Sequence, residues 1–94
     1  MRLYKKIKSL GTGITASQKN KGILLINPTT NTEAAFTVNI INVNKTVTTL
    51  DLALNAINSN TPSLSVYPNF AIIPFTISSW TDTGAIGIKG YELF

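Results

Sequence analysis

Four carboxylates, Glu33, Asp51, Asp82 and Glu92, are the only acids in a chain that contains neither His nor Cys. Hydroxyls are plentiful, but a Ser or Thr nucleophile needs an activating base, and without His that leaves Lys or one of these carboxylates. Three of the four acids stand beside turn-forming residues or near the chain end, where acids are routine. No spacing brings two together as a glycosidase requires. The lack of Cys excludes disulfides and thiolate metal sites, and the lack of His removes the commonest metal-binding imidazole. The side chains therefore point to no catalytic set, no metal centre and no cofactor, and the chain reads as non-enzymatic.

One stretch spells a known fingerprint by its letters alone. Gly11-Thr12-Gly13-Ile14-Thr15-Ala16 fits G-x-G-x-x-A, with Glu33 further along. Dinucleotide binding needs a buried strand before that turn and a helix after it. Here a Lys-rich segment precedes and Ser17-Gln18-Lys19-Asn20-Lys21 follows, so the match is a loop. Asn44-Lys45-Thr46 matches the glycosylation sequon, which ten Asn and thirteen Thr make unsurprising.

The feature with functional leverage is basic. Arg2, Lys5, Lys6, Lys8, Lys19 and Lys21 are six of the eight cationic residues, and no acid lies among them. Residues 1–21 thus form a basic arm or edge segment ahead of a single domain over residues 22–94. Arg2, Lys5, Lys6 and Lys8, with Tyr4 between them, suit contact with an acidic neighbouring subunit, or with phosphates and a stacked base. Lysines along an edge strand also discourage edge-to-edge aggregation, which is the plain reading of the same residues.

The elements that must carry this segment are strands. Twelve Ile, four Val and thirteen Thr are β-branched, and Asn and Ser supply a surface that is polar but hardly charged. Gly22–Asn27 and Ala34–Val43, split by Pro28-Thr29-Thr30-Asn31-Thr32-Glu33, read as a β-hairpin. In its second half Phe36, Val38 and Ile40 alternate with polar residues, and the parity then slips to Ile41 and Val43. That predicts a β-bulge at Ile40-Ile41, or else a strand buried on both faces over that short stretch. Residues 46–57 fit both periods: Leu50, Leu52 and Leu54 alternate, while Leu50, Ala53, Leu54 and Ile57 match a helix. The Val-Thr-Thr opening favours a strand over Thr46–Leu54 with a helical turn over Asn55–Asn58.

Ser63–Tyr67 reads as a short strand, and Phe70–Trp80 as an edge strand or one broken at Pro74, which cannot donate to a ladder. Thr81-Asp82-Thr83-Gly84 is a turn, and Ala85–Phe94 closes the chain as a strand whose parity slips at Gly90, a residue that permits a bulge. About seven short strands with turns every ten or so residues predict an all-β fold, a small antiparallel β-sandwich or barrel. No apolar run is long enough for a membrane-spanning helix, and Met1 to Ser17 lacks the apolar region of a signal peptide.

The segments KGILLIN, TEAAFTVNI, AIIPFTISSW and IKGYELF, in this Asn-, Thr- and Ile-rich chain, resemble the compact β-sandwich decoration, adaptor and tail-accessory proteins of tailed bacteriophages. The resemblance implies a non-enzymatic virion protein assembled in the host cytoplasm, a capsid decoration or stabilising protein docking on major capsid subunits. Its alternatives are a tail or head–tail accessory protein and a small OB-like nucleic-acid-binding module. The implied partners are capsid or tail subunits, with the chain present as a homo-oligomer or in many docked copies.

Overall fold

The structure, a computed structural model, describes residues 4–59 and 66–94. Eight strands follow one another: β1 Ile7–Ser9, β2 Gly22–Ile26, β3 Ala34–Ile41, β4 Val47–Leu54, β5 Val66–Tyr67, β6 Phe70–Ile73, β7 Ile77–Asp82 and β8 Lys89–Leu93. They form two four-stranded sheets, β1-β8-β2-β6 and β5-β4-β3-β7. The chain is an all-β sandwich. Every pairing is antiparallel except the two-residue contact of β4 with β5, which is parallel.

Each sheet contributes one face to the core. From the first come Ile23, Leu25, Ala71 and Ile73; from the second come Phe36, Val38, Leu54, Ile77 and Trp80. The alternation seen in the sequence of β3 is realised, with Ala34, Phe36, Val38 and Ile40 buried and the residues between them half-buried or exposed. β-Branched and aromatic residues suit this pleated, half-buried setting.

The segment from Gly22 to Val43 is not a hairpin. β2 lies in the first sheet and β3 in the second, so residues 27–33 cross between layers. Asn27 explains the crossing. It is fully buried, its Nδ2 donates to the carbonyls of Thr32, Leu54 and Asn55, and its Oδ1 accepts from the amide and hydroxyl of Thr29. One side chain thus holds the connection and ties it to the end of β4. The true hairpin is β3–β4, closed at Asn42–Thr46 with Lys45 at a φ of 69°.

The expected irregularity near Ile40 exists on the neighbouring strand. Asn39 pairs with Ser79 and Ile40 with Ile77, so Ser78 of β7 is the extra residue, while β3 runs in unbroken register with β4 through Ile41. Gly90 shows no slip either, since β8 pairs continuously with β2. Residues 46–57 resolve as strand β4 followed by a turn at Ile57-Asn58. Pro74 separates β6, an edge of the first sheet, from β7 in the second. The part of the predicted Ser63–Tyr67 strand before Val66 lies outside the described residues.

One side of the sandwich is sewn shut. After β1, residues 10–20 run along the free edge of β7: Gly13 N–H donates to the Trp80 carbonyl and Ala16 N–H to that of Ser78, both at 2.7 Å. Buried Asn20 completes the seam, its Oδ1 accepting from Ile77 N–H at 3.1 Å and its Nδ2 donating to the Ile77 carbonyl at 3.0 Å. An amide side chain here does what a paired strand would do, and the backbone groups of an otherwise open edge are satisfied.

Candidate docking surface

The predicted basic residues sit on and beside β1, the edge strand of the first sheet. Ile7, Lys8 and Ser9 pair with Leu93, Glu92 and Tyr91 of β8. The Phe94 carbonyl accepts from the amides of Lys5 and Lys6, and Phe94 N–H donates to the Lys6 carbonyl. Lys5, Lys6 and Lys8 are exposed and Tyr4 is half-buried. The Lys6 ammonium lies 5.9 Å from the centroid of the Phe94 ring, within cation–π range. Arg2 lies outside the described residues. The backbone of Lys5–Ser9 is therefore held by the sheet while three lysine head groups face water.

The outer face of this sheet is the feature that the sequence alone did not disclose. Register places Leu24, Ile72 and Tyr91 in one row, and Ile26, Phe70 and Lys89 in the next. Ile7 lies across from Leu93 at the β1 border. Ile7 is 61% exposed, Phe70 53% and Ile72 49%; Leu24, Ile26 and Tyr91 are half-buried. Both residue parities of GILLI and FAII are apolar, which by pattern alone reads as burial on two faces. Here one parity fills the core and the other faces outward.

The second sheet is the opposite. Its outer face carries Thr37, Asn39, Thr49, Asp51 and Ser79, cross-linked by Thr37 Oγ1 to Asp51 Oδ1 at 2.8 Å, Asn39 Nδ2 to Ser79 Oγ at 3.0 Å and Thr49 Oγ1 to Asn39 Oδ1 at 2.8 Å. This is an ordinary solvated surface. Polar side chains satisfy one another across the middle of this face, and apolar ones stand at its hairpin end: Ile41, half-buried, and Val47, 56% exposed.

None of the four carboxylates lies on the apolar face, and each has its own setting. Glu92 points inward, is buried, and accepts from Ser17 N–H at 3.0 Å. Asp82 accepts from the amides of Ile86, Gly87 and Ile88, fixing the loop between β7 and β8. Asp51 belongs to the polar sheet, and Glu33 is exposed in the inter-sheet crossing. Among the described residues no three His, Cys, Asp or Glu gather as a metal site. Gly11–Ala16 runs along β7 with no helix after it, so the geometry of a dinucleotide fingerprint is absent.

An open groove of about 710 Å³ occupies one end of the sandwich, where Ile41 and Val43 of the β3–β4 hairpin face Pro74 and Phe75. Its walls hold no carboxylate, and Lys21 is the one ionisable group lining it. Comparison with known proteins gives no match to any family model, curated protein or solved structure.

Proposed function

We propose that the chain is a non-enzymatic structural protein of a tailed-phage particle, docking as a decoration or stabilising subunit on major capsid subunits. The observation that carries this reading is the contrast between the two outer faces. Across its middle the second sheet shows water a self-satisfied polar surface; the first shows Leu24, Ile26, Phe70, Ile72 and Tyr91, bordered by Lys5, Lys6 and Lys89 and free of acids, while Lys8 lies opposite the inward-facing Glu92. Contiguous apolar area with a charged border is how a protein-docking surface is built, because the centre supplies burial and the rim supplies orientation. The complementary partner presents an apolar patch ringed by carboxylates. A 94-residue domain gains stability from such docking by mass action.

Incorporation into particles tests the reading. Particles purified from cells that express the wild-type chain should carry it, as seen by mass spectrometry and by immunogold position on head or tail. A Leu24→Lys/Tyr91→Lys variant should be folded by circular dichroism and at least tenfold depleted from particles. Particles that lack the wild-type chain, or that carry the variant at the wild-type level, would overturn the proposal.

A further inference from the structure

We propose that the outer edge of β6 pairs with β6 of a second copy of this chain about a two-fold axis, joining two first sheets into one continuous eight-stranded sheet. This goes beyond docking on a particle, because it concerns the isolated chain and uses an edge where docking uses a face.

The two edges of the first sheet are treated differently by the sequence. The β1 edge carries Lys5, Lys6 and Lys8, so two copies approaching there meet like charges. The β6 edge carries none. From Leu52 to Thr81 the chain contains no Lys, Arg, Asp or Glu, a run of thirty residues that includes β5 and β6. The molecule as a whole has a net charge of +4, so this uncharged side is where two copies meet with the least repulsion.

The opposite side of the sandwich is closed by residues 10–20 on β7, whereas among the described residues no main-chain hydrogen bond reaches the outer edge of β6. Proteins blunt exposed edges with lysine, bulges, proline or a covering segment. β6 has no lysine and no bulge, and its register with β2 is regular through all four residues. Pro74 stops it immediately afterwards. Such an edge is short enough to form one defined pairing, and among the described residues its outer backbone groups carry no main-chain bond.

The side chains fit a two-fold. With Ala71 opposite Ala71 of the second copy, Phe70 falls opposite Ile72 on the outer face, twice by symmetry, and the smallest side chain sits at the axis. Antiparallel pairs of this aromatic and β-branched type are among the favourable cross-strand neighbours. The interface is isologous and closes at two copies. It leaves the apolar outer faces of the two copies side by side.

Sedimentation equilibrium of the purified chain over a hundredfold concentration range tests this directly. The expected result is a reversible monomer–dimer equilibrium, with slowed amide exchange at residues 70–73 as concentration rises. Ile72→Lys, at a half-exposed position, should leave the fold intact and shift the dissociation constant at least tenfold towards monomer; Tyr91→Lys, at the centre of the docking face, should not. A wild-type chain that stays monomeric throughout would overturn the proposal, as would a dimer that Ile72→Lys leaves intact or that Tyr91→Lys dissociates. None of these outcomes bears on particle incorporation, so the two readings fail separately.

Discussion

The indole of Trp80 occupies the space that a side chain at Gly90 would fill. A Cβ placed on Gly90 falls 2.6 Å from Cε2 and Cζ2 of the ring and 2.7 Å from Nε1. Trp80 belongs to the second sheet and Gly90 to the first, so the missing side chain lets the largest core residue bridge the layers. Its Nε1 donates to the Leu10 carbonyl at 2.9 Å, which also fixes the start of the segment that seals β7. Gly90→Ala forces a ring in a closed core to move, and overpacking of this kind costs about 1–3 kcal/mol. Urea unfolding followed by Trp fluorescence should show that loss, together with an altered native emission spectrum.

Asn27 should be among the most sensitive polar positions. Its side chain donates to three carbonyls and accepts from Thr29 at zero solvent exposure. Asn27→Ala takes a buried donor from the Leu54 and Asn55 carbonyls, each at about 1–3 kcal/mol where water does not enter, while the Thr32 carbonyl keeps the Thr29 hydroxyl. A total loss of about 2–4 kcal/mol is expected from equilibrium unfolding, allowing for partial relaxation. Asn27→Asp should be no better, because a carboxylate offers oxygens where Thr32, Leu54 and Asn55 present carbonyl oxygens.

What the sequence made legible follows from what is local. The alternation of β3 and the break at Pro74 depend on neighbouring residues, and each is where pattern placed it; the turn expected over Thr81–Gly84 begins only after Asp82, because β7 keeps Thr81 and Asp82 in its ladder. Pairing is not local. A Pro-, Asn- and Thr-rich link between two strands looks alike whether it closes a hairpin or crosses between sheets, and only the burial of Asn27 against β4 distinguishes them. The bulge hid for a related reason: two polar residues in succession, Ser78 and Ser79, give no parity signal, while the apolar slip at Ile41 drew attention to the wrong strand. The lysines of the candidate surface were visible as a charge run. Its apolar centre was not, since Leu24, Ile72 and Tyr91 come from three strands and become one patch only through register.

Asp82 is an acid used for architecture. Its two oxygens accept three consecutive amides, from Ile86 at 3.2 Å, Gly87 at 2.7 Å and Ile88 at 3.0 Å. Hydrogen bonds to a charged group contribute about 1.5–3 kcal/mol each, and three sharing one carboxylate contribute less than their sum. Asp82→Ala should destabilise the chain by about 2–4 kcal/mol and speed amide exchange at residues 86–88. Asp82→Asn, which keeps one acceptor, should lie between the two.

The rim of the docking surface can be tested apart from its centre. Lys5 and Lys89 are exposed, and their backbones are held by hydrogen bonds that a change of side chain leaves in place. The double variant Lys5→Glu/Lys89→Glu should therefore keep its stability to within about 1 kcal/mol, as surface substitutions generally do. Co-sedimentation with purified particles should respond differently. At an ionic strength near 0.05 M the Debye length is longer than the ~10 Å found at 0.1 M, and a rim of reversed sign should reduce binding at least tenfold. Near 1 M, where the Debye length shrinks to about 3 Å, wild type and variant should bind alike, because what remains is apolar burial through Leu24, Ile26 and Tyr91. A variant that binds as well as wild type at low salt would remove the lysines from the surface and leave the apolar face to account for docking alone.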